Sequence, residues 1–222
     1  MSEKLTGLFF GSFNPIHNGH LNIANYLIKE HYCSEVWFVV SPQNPLKTVS
    51  SLLDEKLRIK LVDKAIKDFA QLKACDIEFN MHRPSYTIET LRKLQLDFPD
   101  KNFALVIGED NLRNFKKWKS YKELLSNYKI FVYPRIEDSQ KYEDPFKVKN
   151  SSKIENLSKF KVSSKTNALD YNYLSKFRVE RVCAPLSMVS STQIRNKILR
   201  GDDINSLVPS SILLETIKYY LK

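Results

Sequence analysis

Two histidines three positions apart, His17 and His20, stand in the stretch Gly11-Ser12-Phe13-Asn14-Pro15-Ile16-His17-Asn18-Gly19-His20. A short apolar run at residues 5–10 feeds this stretch, and residues 21–28 leave it with apolar positions at helical spacing. A strand-to-helix turn of this kind aims backbone N–H groups and the positive end of a helix dipole at an anion above it. Two imidazoles on one side of the turn reach the same group. The chemistry this permits is that of a phosphate cradle. A single histidine near a helix start is commonly a cap or a surface residue, but two flanking a glycine weigh against that reading. No Cys or carboxylate stands at ligand spacing beside them, so the pair does not spell a metal site.

A second anion-binding pattern lies near the other end, at Val189-Ser190-Ser191-Thr192-Gln193-Ile194-Arg195. With Ser191 as the N-cap of a helix, Arg195 falls one turn on and on the same face. Hydroxyls, N–H groups and a guanidinium then converge on one anion. Serine and threonine caps are common, so this pattern gains its meaning from the first cradle.

The elements that must position these groups alternate. A second buried strand is expected at residues 35–41, and strand, helix, strand at this spacing implies a right-handed parallel crossover. Pro42 and Pro45 break the chain after it, which puts Lys47 in a loop at the carboxyl end of a strand, the edge where open α/β sheets bind ligands. In a chain with 35 Lys and Arg, location is all that distinguishes Lys47 from surface charge. Asp54 is the expected N-cap of a helix to about residue 70, with Leu57, Leu61, Val62, Ala65 and Phe69 facing inward. A third strand is expected at 74–79, then a loop His82-Arg83-Pro84-Ser85-Tyr86-Thr87 in which Thr87 caps a helix over 88–96. That loop is a third place where backbone donors face an anion, or else an ordinary capped connection.

A fourth strand at 103–107 ends in Gly108-Glu109-Asp110, where an acidic side chain can meet ribose hydroxyls or cap the next helix. Trp118 stands among Lys116, Lys117 and Lys119, suited either to stacking on a flat heterocycle or to partial burial. A fifth strand is expected at 129–133 and a last one at 177–183. Gly201 closes the helix that follows Ser191, and Pro209 and Ser210 open a final helix with Leu213, Ile217 and Leu221 as its buried stripe. The expected fold is α/β, a Rossmann-like doubly wound, mainly parallel sheet with helices on both faces, in one domain spanning 1–222.

Composition narrows the classes. No apolar run approaches the length of a membrane span, and the N-terminal stretch lacks a signal peptide's apolar core, which points to a cytoplasmic protein. Cys33, Cys75 and Cys183 are scattered without CxxC pairing, as expected of core filler in a reducing compartment. The formal charge of +10 raises a nucleic-acid reading. Residues 139–183, however, hold ten Lys/Arg against five Asp/Glu, half the surplus, in a polar stretch away from both cradles. A solvated basic insertion fits that better than a nucleic-acid interface, and no RNA-binding signature occurs.

Taken together, the first stretch and Ser190-Ser191-Thr192-Gln193-Ile194-Arg195 resemble the paired signatures of the nucleotidyltransferase superfamily with the HxGH motif. Within it, Arg83-Pro84-Ser85-Tyr86-Thr87-Ile88-Glu89-Thr90-Leu91, the Gly108-Glu109-Asp110 turn and Trp118-Lys119 are similar to the bacterial nicotinate-nucleotide adenylyltransferases. The resemblance fails mainly across 139–183. It implies adenylyl transfer from ATP, with Mg²⁺, to nicotinate mononucleotide, giving deamido-NAD and pyrophosphate. By that resemblance ATP is held by Gly11, Ser12, Phe13, His17, Gly19, His20, Gly108, Asp110, Ser191, Thr192 and Arg195. His17, His20, Lys47 and Arg195 carry the catalytic role. Asn14, Lys47, Ser85, Tyr86, Thr87 and Trp118 meet the nicotinate nucleotide.

Three departures stand out: Asn14 replaces a frequent Asp, Leu46 a frequent His, and residues 139–183 exceed the family length. Nicotinamide mononucleotide or phosphopantetheine is the alternative acceptor. A homo-oligomer is compatible with the sequence.

Overall fold

The structure, a computed structural model, describes residues 4–43, 52–134 and 171–221. Lys47 and the larger part of the basic insertion lie outside them. Six strands form one sheet: β1 (Leu5–Gly11), β2 (Glu35–Val40), β3 (Leu72–Cys75), β4 (Asn102–Gly108), β5 (Lys129–Tyr133) and β6 (Val179–Arg181). Their order is β3-β2-β1-β4-β5-β6, and every pairing is parallel. The order reverses between β1 and β4, so the crevice at the carboxyl ends of these two strands is the topological switch point where such sheets bind ligands. The doubly wound α/β expectation holds.

The helices are α1 (Asn18–Lys29), α2 (Glu55–Ile66), α3 (Thr87–Asp97), α4 (Glu109–Arg113), α5 (Tyr121–Asn127), α6 (Tyr171–Leu174), α7 (Ser191–Arg200) and α8 (Leu213–Tyr220). Strand side chains alternate between faces, and the core divides accordingly. Phe9, Val36, Phe38, Ala104, Val106 and Phe131 pack against α1, α2 and α7 on one face. Leu8, Trp37, Val39, Leu105, Ile107 and Val132 pack against α3 and α5 on the other. Among the described residues no helix is long and apolar enough to cross a membrane.

Several expected boundaries move. The first helix starts at Asn18 rather than 21, and α2 stops at Ile66 rather than 70. Asp54 caps it as expected, accepting from the Lys56 N–H at 2.9 Å. The inner face of α2 is Arg58, Leu61, Val62, Ala65 and Ile66, whereas Phe69 lies past the helix end and is exposed. The third strand is Leu72–Cys75, and Ile77–Asn80 is a 3-10 turn in place of strand. Tyr86, not Thr87, is the N-cap of α3. The last strand is only Val179–Arg181, and Leu221 is exposed instead of joining the stripe of α8. Of the cysteines, Cys33 is buried, Cys75 half-buried and Cys183 exposed, so core filling describes the first best. Burial pushes the Cys33 thiol up to about 12 and Cys75 up to about 11, which leaves neither a thiolate nucleophile at neutral pH.

Candidate active site

The first cradle leaves β1 at Gly11 and enters α1 through His17, its N-cap in extended conformation. Between them Phe13 takes φ 43°, in the left-handed region, an unfavourable conformation for a bulky residue that surrounding contacts must hold. Those contacts are aromatic. The Phe13 ring meets Phe38 edge-on at 5.4 Å and Phe9 at 5.9 Å. It also meets His20 edge-on at 5.0 Å, so the ring that needs the strained backbone also walls one histidine. His17 and His20 stack at 3.7 Å between centroids, the first buried and the second half-buried. The His17 N–H donates to Nδ1 of His20 at 3.3 Å. A neutral ring accepting at Nδ1 carries its proton on Nε2. Gly19 leaves no room for a side chain: a Cβ there would lie 2.5 Å from the Ser187 hydroxyl and 3.0 Å from His17 Nδ1.

The second pattern sits directly on the first. Its N-cap is Ser190, whose hydroxyl accepts from the Gln193 N–H at 3.2 Å, which corrects the assignment of the cap to Ser191. Freed from capping, the Ser191 hydroxyl donates to the Pro15 carbonyl at 2.9 Å, and Arg195 Nη1 donates to the Asn14 carbonyl at 2.8 Å. Arg195 Nη2 also reaches the Thr192 hydroxyl at 3.4 Å. Segments 176 and 181 residues apart in sequence are thereby joined at the cradle itself. The Asn18 N–H and side-chain amide donate to the carbonyls of Leu207 and Ser206, each at 2.9 Å, and complete the docking of the C-terminal segment.

Two residues hold this edge in place: Arg58, which sequence reasoning passed over, and Asn14, which it expected at the nicotinate nucleotide. Arg58 is fully buried, and its described partners are all carbonyl oxygens: Leu53 at 2.7 Å, Ser12 at 2.6 Å, Ser41 at 2.8 Å and Pro42 at 3.1 Å. It thus ties the ends of β1 and β2 to the start of α2. Burial works against its charge and lowers its pKa from the usual arginine value. The second is Asn14, where a frequent Asp is missing. Its side-chain oxygen accepts from the Leu53 N–H at 3.1 Å and from the hydroxyl of the half-buried Tyr220 at 2.7 Å. Its described contacts make it an acceptor that joins the cradle to the start of α2 and to α8. The sequence signal for Arg58 was its place in the apolar register of α2, at i with Leu61, Val62, Ala65 and Ile66 at i+3, i+4, i+7 and i+8.

The residues expected to meet the acceptor lie around the start of α3 and the end of β4. Ser85 is buried and its hydroxyl donates to Glu78 at 2.8 Å, just before the N-cap of α3 at Tyr86. Lys119 lies 4.5 Å over the Tyr86 ring and pairs with Glu89. Trp118 beside it is half-buried and tilts against Phe115 at 4.9 Å. The structure therefore brings Tyr86 and Trp118-Lys119 together on the β4 side. Gly108 ends β4 and is the N-cap of α4, displacing Asp110 from that role; a Cβ on Gly108 would lie 2.4 Å from the Asp110 carboxylate. Glu109 pairs with Arg181 at 3.1 Å. Lys47 lies outside the described residues.

A six-stranded parallel sheet with a histidine-bearing cradle at its switch point defines a nucleotidyltransferase of the Rossmann-like class. Residues 8–197 match the family model described as Cytidylyltransferase-like. Two relatives, each named a probable nicotinate-nucleotide adenylyltransferase, come from Flavobacterium psychrophilum and Christiangramia forsetii. The first is 38% identical, covering 93% of this chain and 92% of its own. The second is 39% identical, covering 96% and 94%. The chain belongs to the nicotinate-nucleotide adenylyltransferase family. Its fold is also that of the Plasmodium falciparum nicotinic acid mononucleotide adenylyltransferase complexed with NaAD, with a TM-score of 0.68 at 19% identity over 98% of this chain and 94% of that one.

Proposed function

We propose that the crevice between β1 and β4 transfers the adenylyl group of ATP to nicotinate mononucleotide, with the His17/His20 cradle and Arg195 on the triphosphate and the α3 turn on the acceptor. The observation that carries this reading is the contact of the two cradles. Arg195 and Ser191 bond the backbone of Asn14 and Pro15, so a guanidinium and two imidazoles border one space. A phosphate oxygen of the mononucleotide attacks the α-phosphorus of ATP, a new P–O bond forms, and the bond to the bridging oxygen breaks to release pyrophosphate. The attacking group is already anionic, so no general base or covalent nucleophile is required. The protein supplies alignment and neutralisation of crowded negative charge.

In this reading Nε2–H of His20 donates to an oxygen at the reacting phosphorus, where charge builds most. Arg195 meets the leaving pyrophosphate, helped by the helix start at Ser191 and Thr192. Lys47, outside the described residues, adds a further cation as the resemblance implies. Gly11, Ser12, Phe13 and Gly19 shape the close backbone approach, and Gly108 and Asp110 border the nucleoside at the end of β4. Backbone amides of Ser85 to Thr87 receive the nicotinate carboxylate while Trp118 stacks on the pyridine. Among the described residues no three His, Cys, Asp or Glu gather as a metal site. Mg²⁺ is taken to arrive with ATP, as the resemblance to the family implies. A cytoplasmic location goes with this reading.

The reading is supported by the names of the relatives and by the Plasmodium falciparum neighbour, whose structures hold NaAD and APC. A substrate panel tests it. Purified protein with ATP and Mg²⁺ is expected to release pyrophosphate much faster with nicotinate mononucleotide than with the amide mononucleotide. Equal rates, or turnover with phosphopantetheine alone, would refute the acceptor assignment.

A further inference from the structure

We propose that Glu78 is a positioning residue for the acceptor, a buried carboxylate that fixes the first turn of α3 and thereby sets affinity for the nicotinate nucleotide. This rests on the assignment of that turn to the acceptor. Glu78 lies in the 3-10 turn after β3 and is buried, 2% exposed. One carboxylate oxygen accepts from the Ser85 hydroxyl at 2.8 Å, the other from the Thr90 hydroxyl at 2.7 Å. Ser85 precedes the N-cap of α3 and Thr90 closes its first turn, so one rigid group grips the turn on both sides of Tyr86 and Thr87. The Thr90 hydroxyl is also 3.3 Å from the Tyr86 carbonyl, which draws the cap residue into the same network.

A buried carboxylate is costly unless well satisfied, and the described partners of Glu78 are two hydroxyls, with no lysine or arginine among them. A hydrophobic residue would serve packing more cheaply. What the carboxylate gives is geometry. It takes hydroxyl donors and leaves the backbone N–H groups at the start of α3, which have no intrahelical partner, for another acceptor. The helix dipole favours negative charge at this end, which makes Glu78 tolerable there without a cation.

Steady-state kinetics with ATP and nicotinate mononucleotide varied separately test this. Glu78→Ala is expected to raise KM for the mononucleotide about tenfold, as for a lost hydrogen bond to a charged group, while KM for ATP stays within about twofold. Glu78→Gln, which keeps one carbonyl acceptor, should fall between. General destabilisation does not change the ratio of the two constants, so equal shifts in both, or an unchanged mononucleotide KM, would overturn the proposal. If Ala at 78 prevents folding, Ser85→Ala removes one arm of the grip and reads the same ratio. A separate arm addresses the turn itself. Thr87→Pro deletes a backbone N–H at the first helical position, where proline fits, and is read against Thr87→Ala. If the proline variant alone raises mononucleotide KM, the turn binds the acceptor whatever Glu78 does. If it matches the alanine variant, the assignment of the turn fails and the role of Glu78 fails with it.

Discussion

The two edges of the sheet treat charge in opposite ways. At the amino ends of the strands, Glu35 accepts from Thr6 and pairs with Lys73 at 2.9 Å and with Lys101, an ordinary ion network beneath the Trp37 ring. At the carboxyl ends, Arg58 is held by carbonyls and Glu78 by hydroxyls, each buried with no described partner of opposite charge. Side-chain ion pairs satisfy charge but leave loops where they lie. A guanidinium spread over four carbonyls, or a carboxylate spanning two hydroxyls, locks the backbone instead. Ion pairs such as Glu109–Arg181 occur at the carboxyl edge too, but it is there that buried charge serves as a brace for the backbone.

The largest effect should come from removing the brace with the most arms. Arg58→Met keeps the volume but strips donors from four carbonyls, and at about 1 kcal/mol each the expected loss is about 4 kcal/mol, measured by urea denaturation. Arg58→Lys retains the charge but not the planar fork, so it should recover only part of that. Full recovery by lysine would mean that charge, not geometry, is what the carboxyl edge needs. Next comes His20→Ala, which removes a donor from the site together with the acceptor of the His17 N–H, and leaves the Arg58 and Glu78 braces intact. A fall in kcat of about a hundredfold is expected, as for one preorganised donor to developing charge, with the unfolding midpoint little changed. A variant with normal kcat would reduce His20 to the wall it forms with Phe13.

These braces are also where the sequence was hardest to read. The alternation of strand and helix, the two glycine-ended strands and the histidine pair were legible because they rest on periodicity and on residue types with narrow uses. The inner face of α2 was misread, with Leu57 and Phe69 chosen over Arg58 and Ile66, because a charged residue in an apolar register counts as solvent-facing until its partners are known. Glu78 sits between Ile77 and Phe79, an alternation that imitates a strand with the acid outward, and the 3-10 turn inverts that. Three consecutive hydroxyl residues from Ser190 to Thr192 left the cap ambiguous by one. That shift decides whether Ser191 serves its own helix or the Pro15 carbonyl. The left-handed Phe13 had no sequence sign at all, since the conformation is imposed by ring contacts from elsewhere in the chain.

The smallest effect belongs to the opposite edge. Burial alone would raise the Glu35 carboxyl, but Lys101, Lys73 and the Thr6 hydroxyl beside it outweigh that and hold the group down at about 2. A folded-state pKa below the unfolded value means that Glu35 contributes stability above the ordinary carboxylate range and loses it as pH falls from there towards about 2. Glu35→Gln should therefore cost about 1 kcal/mol at neutral pH, in keeping with a partly exposed ion network. The gap from the parent protein should close steadily in acid unfolding series below that range. Because the residue stands at the amino ends of the strands, KM for both nucleotides and kcat should stay unchanged at neutral pH. A kinetic defect in Glu35→Gln as large as that of His20→Ala would show that the two edges are coupled through β1 and β2, and that their division into a stabilising edge and a working edge is wrong.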